Sequence, residues 1–363
     1  MKIAFRADAS LQIGTGHVMR CLTLARALTQ RGHECCFLTR AHEGNLISFV
    51  RDEGFEAYAL PVPEREPALP ESRLAHADWL GVPQELDAAQ SATILRDWQP
   101  DWLVVDHYAL DDVWETLTAP FCGRLLVIDD LTDRRHACVA LLDQTLDRLP
   151  VDYRDLVPED CRTFAGPRYA LLRPEFAEMR PQSLMRRESS GLSRILISMG
   201  GVDQQNATAA VLDALRGSKL ASQCRIDVVL GPTAPWLEHV RALAATMPWP
   251  TQVLAGVRDM ASRMANSDLA IGAAGSTSWE RCCLGVPTIM VVLAANQRPS
   301  AAALSSHGAA VLLGEPGDIP SRLPQALAGV MDASTLGEMG RCAADICDGL
   351  GATRVVEYME AVR

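Results

Sequence analysis

Short apolar runs alternate with helical stretches along the chain, and the alternation restarts once. In the first half, near-continuous apolar segments at residues 2–6, 35–39, 57–60, 102–106 and 124–129 read as buried strands, with shorter candidates at 139–142 and 163–165. Between them, residues 18–31 and 88–98 carry apolar positions at helical spacing, and Gly32 stands where a helix ends on a C′ glycine. The second half repeats the scheme with strands at 194–199, 225–230, 252–254, 268–271, 288–292 and 310–313. Strands separated by helices predict parallel sheets with right-handed crossovers. The expected fold class is α/β, with two Rossmann-like domains facing an inter-domain cleft and ligands outside the carboxyl ends of the strands. Residues 179–193 are polar and hold Pro181, Gly191 and several arginines, so they are the expected linker between a first domain at 1–178 and a second beginning at 194. Residues 61–70, rich in proline and glutamate, read as a surface loop.

Composition narrows the function classes. The 363 residues are 48% hydrophobic and 22% charged, which is the balance of a globular protein, and the net charge of −11 argues against a general nucleic-acid binder. Lys2, Arg6 and Asp8 interrupt any signal-peptide core, and no run approaches the roughly 18 apolar residues of a membrane span. A cytoplasmic protein with no membrane partner is expected. The eleven cysteines include the adjacent pairs Cys35–Cys36 and Cys282–Cys283 but no C-x-x-C, so reduced thiols are expected and a zinc site is not.

Candidate chemistry concentrates at the predicted strand ends. The first strand runs into a polar turn with Gly14 and Gly16, then His17, then a helix. Backbone N–H groups at such a helix start attract anions, and the helix dipole disfavours the imidazolium form of a nearby histidine. An anion-binding loop and a candidate general base thus sit side by side. In the second half, ILISMGGVDQQN brings Gly200 and Gly201, where backbone can approach a ligand closely, to Asn206 near a helix start. DLAIGAAGSTSWERCCLGVP places Gly275, Ser276 and Thr277 at a helix start, a phosphate-cradle pattern, with Glu280 in the first turn where a carboxylate can accept from a ribose diol. Asn296 and Gln297 follow another apolar strand and offer uncharged donors and acceptors. Turn, cap and dipole roles account equally well for several of these residues taken singly. Asp106-His107-Tyr108 and Asp129-Asp130 also end strands; a triad or a divalent ion is conceivable there, but strand-end aspartates more often cap helices. The remaining histidines, among them His42, His76, His136 and His239, lack metal-ligand spacing and read as surface or core.

Taken together, FRADASLQIGTGHVMRCLTLA, VVDHY, GPRYALLRPEF, SMGGVDQQN, GAAGSTSWE and ANQ resemble the UDP-sugar hydrolases of pseudaminic acid biosynthesis. Those enzymes remove UDP from UDP-2,4-diacetamido-2,4,6-trideoxy-β-L-altropyranose. They belong with the GT-B glycosyltransferases, beside the transferase that adds GlcNAc to lipid II. The resemblance covers nearly the whole chain. It implies that His17 is the catalytic base, that Tyr108 and Asn296 support catalysis near the sugar, and that Asn206 and Glu280 contact substrate, Glu280 at the ribose. It places the Gly275, Ser276 and Thr277 corner at the diphosphate and makes residues 194–335 the UDP-binding domain. It further implies a helical segment at 336–363 packing back on the first domain, and leaves 61–80 as a peripheral insertion. The implied reaction is inverting water attack at the anomeric carbon in a monomer, with a UDP-sugar as the only partner and neither cofactor nor metal. Two rivals are a GT-B glycosyltransferase using a UDP-sugar donor and a nucleotide-sugar binder that does no chemistry; an epimerising UDP-sugar hydrolase is a third.

Overall fold

The computed structural model describes residues 1–62, 74–188 and 191–362. The expected loop at 61–70 lies mostly outside the described residues. The chain forms two compact units, Met1–Leu171 with Leu350–Arg363, and Leu172–Gly349.

The first unit is built on seven strands: β1 (Lys2–Ala7), β2 (Glu34–Arg40), β3 (Glu56–Leu60), β4 (Trp102–Asp106), β5 (Arg124–Ile128), β6 (Ala140–Asp143) and β7 (Arg162–Ala165). Between them run α1 (Gly16–Gln30), α2 (Ile47–Asp52), α3 (Gln84–Trp98) and α4 (Asp112–Thr118). All neighbours pair in parallel, in the order β3-β2-β1-β4-β5-β6-β7. Every residue of β4 is buried, which explains why these strands read as unbroken apolar runs. The order reverses between β1 and β4, so the chain leaves these two neighbours toward opposite faces and a crevice opens at their carboxyl ends. A buried ionic lattice floors that end of the sheet. Arg6 donates to Asp8 at 2.5 and 2.9 Å and to Asp87 at 3.0 and 2.6 Å, and Arg40 also donates to Asp87. Trp114 Nε1 adds a bond to Asp87 at 2.9 Å, so each buried charge is paired and hydrogen-bonded.

The second unit repeats the plan. Helix α5 (Pro174–Arg187) leads into β8 (Arg194–Ser198), α6 (Ala207–Leu215), β9 (Arg225–Leu230), α7 (Leu237–Ala244), β10 (Thr251–Ala255), α8 (Met260–Ala265) and β11 (Leu269–Ala273). Then follow α9 (Thr277–Cys283), β12 (Thr288–Val291), α10 (Arg298–Ser306), β13 (Ala310–Gly314), α11 (Ile319–Gly329) and α12 (Ala333–Ile346). The six strands are again parallel, in the order β10-β9-β8-β11-β12-β13, with the reversal between β8 and β11. No helix among the described residues is long and apolar enough to cross a membrane.

Two boundaries differ from those expected of the sequence. The polar stretch 179–193 is not a linker: most of it is α5, a helix of the second unit that starts at Pro174, the first described unit having ended at Leu171. Its arginines misled because they face protein rather than water. Arg180 donates to the carbonyls of Cys283, Ala344 and Cys347, and Arg187 to those of Met264, Ser267 and Leu284, the carbonyl-rich ends of α8, α9 and α12. Likewise α12 stays with the second unit, and only α13 (Gly351–Ala361) joins the first.

Helix α13 docks by its apolar stripe. Val355, Val356 and Met359 are fully buried in the first unit's core, and His33 Nε2 lies 2.9 Å from Glu360. The helix begins at a close approach of backbones: a Cβ on Gly351 would lie 2.3 Å from the carbonyl oxygen of Ala170. Gly351→Ala must therefore displace α13 and is expected to cost about 1–3 kcal/mol. Thermal unfolding and hydrogen exchange check it: a lower midpoint with early exchange in residues 351–361 is the expected result, and an unchanged melt would show that α13 yields freely.

Candidate active site

In the first unit the β1–α1 connection is a compact turn. Ser10 Oγ accepts from the Ile13 N–H at 2.9 Å, and the Gly14 N–H donates to the Ser10 carbonyl at 2.9 Å. Gly14 adopts φ +79°, a conformation that glycine takes without strain. A Cβ added at Gly14 or Gly16 would meet nothing within 4 Å, so the space immediately over these two positions is open. Gly16 starts α1, which puts His17 inside the first helical turn rather than ahead of it.

His17 reaches across the strand reversal to the end of β4. Its Nδ1 lies 2.6 Å from Asp106 Oδ1. Asp106 is fully buried and also takes both arms of Arg20: Nε to Oδ2 at 2.6 Å and a terminal nitrogen to Oδ1 at 2.7 Å. Burial alone would raise the Asp106 carboxyl; Arg20 and His17 outweigh it and hold the group well below the usual carboxylate range. An ionised carboxylate can only accept, so Nδ1 carries the proton and the lone pair of the neutral ring is on Nε2. The fourth member is Asp130, which accepts from Arg20 at 2.9 Å and from the Tyr108 hydroxyl. Burial and the Asp130 charge push the Tyr108 phenol far above its ordinary range, which keeps it protonated. The Tyr108 ring packs edge-on against His17 with centroids 4.5 Å apart. Trp79 stacks on Tyr108 at 5.7 Å and His76 closes on Trp79 at 4.3 Å, making an aromatic wall beside the imidazole.

The other strand-end acids are structural. Asp129 is buried and accepts from Arg134 at 2.8 Å, from the Tyr153 hydroxyl at 2.9 Å and from the Thr132 N–H at 3.0 Å. Asp129 and Asp130 thus point to different partners and do not form a carboxylate pair. His107 accepts from the Ala109 N–H through Nδ1 and turns its Nε2 toward Asp8, 3.2 Å away. His136 is buried against Glu115 at 2.7 Å and is pushed up to about 9, the pull of Asp129 and Glu115 exceeding the cost of burial.

In the second unit the sequence candidates collect around the β8–β11 reversal. Gly201 lies on the loop after β8 and accepts from the Gly231 N–H at 2.8 Å. Asp203, not Asn206, caps α6, accepting from the Ala207 and Thr208 N–H groups at 2.9 Å each. Asn206 occupies the left-handed region (φ 54°), its Nδ2 lies 3.1 Å from His239 Nδ1, and its buried Oδ1 has no partner among the described residues. After β11, Gly275, Ser276 and Thr277 turn the chain into α9. Gln297 braces the neighbouring loop by accepting from the Leu293 N–H at 2.9 Å, and a Cβ on Gly275 would lie 3.8 Å from Gln297 Nε2. Asn296 is exposed in the short 3₁₀ turn Ala295–Gln297. Glu280 stands 3.9 Å from the Arg173 guanidinium and makes no hydrogen bond among the described residues. Burial pushes its carboxyl up to about 7, against the opposing pull of Arg173 and Arg281. It is a carboxylate short of donors.

Arg20, Trp79 and Arg173 escaped the sequence reading, as did the pairing of Asp106 with His17; Asp130, a candidate ion ligand or helix cap in the sequence, instead accepts from Arg20 and Tyr108. One signal was available: Arg20 follows His17 by three residues in a helix, the spacing that puts two side chains on one face.

Residues 199–348 match the Glycosyltransferase family 28 C-terminal domain. Over 296 residues the chain is 24% identical to an uncharacterised protein, MJ1062, of Methanocaldococcus jannaschii, covering 80% of this chain but only 55% of that protein. It is 26% identical over 222 residues to the UDP-2,4-diacetamido-2,4,6-trideoxy-β-L-altropyranose hydrolase of Campylobacter jejuni, covering 61% of this chain and 68% of the relative. The crystal structure of MurG from Acinetobacter baumannii superposes with a TM-score of 0.70 at 17% identity, covering 99% of both chains. The fold is GT-B-like. Two parallel sheets with Rossmann-like strand order, as the alternation of runs predicted, carry it.

The tautomer of His17 is directly measurable. Nitrogen-15 spectra of the wild type are expected to show the proton on Nδ1. In Asp106→Asn an amide that can donate replaces the obligate acceptor, and a part of the population should move its proton to Nε2. An Nδ1–H tautomer unchanged in this variant would show that Asp106 does not set it.

Proposed function

We propose that the protein is a UDP-sugar hydrolase that releases UDP from UDP-2,4-diacetamido-2,4,6-trideoxy-β-L-altropyranose or a close relative. The observation that carries this reading is His17 with Nδ1 held on a buried, ionised Asp106, because that arrangement leaves Nε2 as a proton acceptor. The name of the Campylobacter relative and the motifs around His17 support the choice of substrate.

In this reading Nε2 takes a proton from water as the water oxygen bonds to the anomeric carbon. The bond from that carbon to the phosphate oxygen breaks with inversion, and UDP leaves with the electron pair. Asp106 stabilises the imidazolium that forms, and Arg20 keeps Asp106 ionised. UDP needs no acid to protonate it, in contrast to the leaving group of a two-carboxylate glycosidase. Tyr108 and Asn296 support the sugar, with Gly14 and Gly16 giving the backbone room. Glu280 accepts from the ribose hydroxyls, and Gly275, Ser276 and Thr277 meet the diphosphate, with Gly201, Asn206 and Gln297 around them. A glycosyltransferase is the second reading, favoured by the match of residues 199–348 to a glycosyltransferase domain; there a hydroxyl acceptor replaces water.

Incubation with the UDP-sugar in ¹⁸O-labelled water separates the two. Hydrolysis without acceptor and label on the anomeric carbon are expected. Label in UDP would mean attack at phosphorus and would overturn the role given to His17, and UDP release that requires an added acceptor would favour transfer. His17→Asn and His17→Leu should lower kcat by about 10² or more while UDP binding is kept.

Glu280 gives a pH test. Its carboxyl stands near 7 in the free protein and must be ionised to accept from two hydroxyls. Uridine, which carries no phosphate, should therefore bind more tightly as pH rises from 6 to 8. Glu280→Gln should flatten that profile and weaken binding by about 2–4 kcal/mol, given about 1.5–3 for a hydrogen bond to a charged group. Calorimetry that finds the same profile in the variant would place the ribose elsewhere.

A further inference from the structure

Arg281 lies behind the turn that joins β11 to α9. It is 2% exposed and makes no ion pair among the described residues. Its guanidinium donates to the Ala273 carbonyl at 2.7 Å, to Ser278 Oγ at 3.0 Å and, more distantly, to Thr277 Oγ1 at 3.4 Å. Its Nε has no acceptor among the described residues. Room for the group comes from Gly272: a Cβ there would stand 2.6 Å from one terminal nitrogen of Arg281 and 2.8 Å from the Ser198 carbonyl. The strand that ends at the turn is therefore shaped to admit a buried cation.

A buried charge with no carboxylate in contact is costly, and burial pushes this guanidinium down to about 10, with Cys282 and Glu280 opposing only part of that effect. Arg187 offers a contrast. It is half-buried and makes no ion pair with a carboxylate among the described residues, but its nitrogens are taken up by carbonyls at helix carboxyl ends, whose dipoles are negative. Arg281 has one backbone carbonyl among the described residues. Its other two acceptors are hydroxyls, and a guanidinium can only donate. Thr277 Oγ1 and Ser278 Oγ thus accept from behind, and their own protons turn away from the guanidinium as donors.

We propose that Arg281 is a positioning residue for an anionic ligand at Gly275, Ser276 and Thr277, namely a nucleoside diphosphate: its charge waits for the diphosphate and its bonds orient the Thr277 hydroxyl as a donor to it. The proposal rests on the reading of the second unit as the UDP site. It accounts for a charge that the fold itself does not neutralise, since the missing anion arrives with the ligand. A field of this kind acts strongly where water is excluded.

The test compares UDP with uridine, which share the base and ribose and differ in the diphosphate. Affinities are measured by calorimetry on wild type, Arg281→Met and Arg281→Lys, and thermal unfolding is followed without ligand. Arg281→Met is expected to weaken UDP by about tenfold or more and uridine by less than about twofold. Its ligand-free melting temperature should stay level or rise, because a well-packed apolar side chain replaces an unpaired buried charge. Arg281→Lys keeps the charge but loses the fork, so its preference for UDP over uridine should fall between the other two. Equal loss of UDP and uridine, or a lowered ligand-free melt with the preference intact, would make Arg281 a structural residue and overturn the proposal. If Arg281→Met does not fold, an unchanged preference in Arg281→Lys overturns it. A wild type that does not prefer UDP to uridine overturns the reading of the site itself, a result separate from any effect of Arg281.

Discussion

The reversal of strand order within each parallel sheet is the constraint on which the rest depends. Where two neighbouring parallel strands send their chains to opposite faces, no helix covers their carboxyl ends, and the backbone turns there stay accessible. In the first unit this crevice lies between β1 and β4, and it brings His17, which follows β1, onto Asp106, which ends β4. In the second it lies between β8 and β11, where Gly201 and the Gly275 turn come from opposite sides of the reversal. Two chemistries thus grow from one topological rule, because the strand positions are fixed by apolar burial and only the turns are free to vary.

Charge is managed differently at the two crevices. The first unit holds several buried acids, and four of them are matched by arginines: Asp8 and Asp87 by Arg6, Asp106 by Arg20, Asp129 by Arg134. Such pairing keeps the carboxylates ionised and therefore keeps the hydrogens of their neighbours in defined places, which is what a histidine of fixed tautomer requires. The second unit leaves groups unmatched at the turn, with Glu280 short of donors and Arg281 short of an acceptor. An enclosed group that lacks its complement is stable only at a cost, and that cost can be recovered by a ligand that supplies the complement.

The aromatic wall of His76, Trp79 and Tyr108 comes from segments that the sequence reading kept apart. Tyr108 follows β4, whereas His76 and Trp79 lie in a stretch taken for a peripheral insertion. Their packing sets an aromatic face beside His17, with Trp79 and Tyr108 both meeting the imidazole edge-on.

The sequence by itself determined the α/β class, the two sheets and the places where strands give way to turns, because burial on both faces writes a strand as an unbroken apolar run. It also marked His17, Glu280 and the Gly275 turn, since glycines, hydroxyls and a titratable group at a helix start have a meaning that is local. The tertiary structure alone decided which charges meet. Asp106 stands 89 residues from His17, and no spacing rule reaches across that interval. It also decided that the arginines of 179–193 belong to a helix of the second unit: from composition they read as solvated, and only packing shows the donors of Arg180 and Arg187 spent on helix-end carbonyls and Arg186 paired with Asp268. Local patterns record what a residue does to its own backbone, whereas ion pairs and unmatched charges depend on distances that exist only once the sheets have formed.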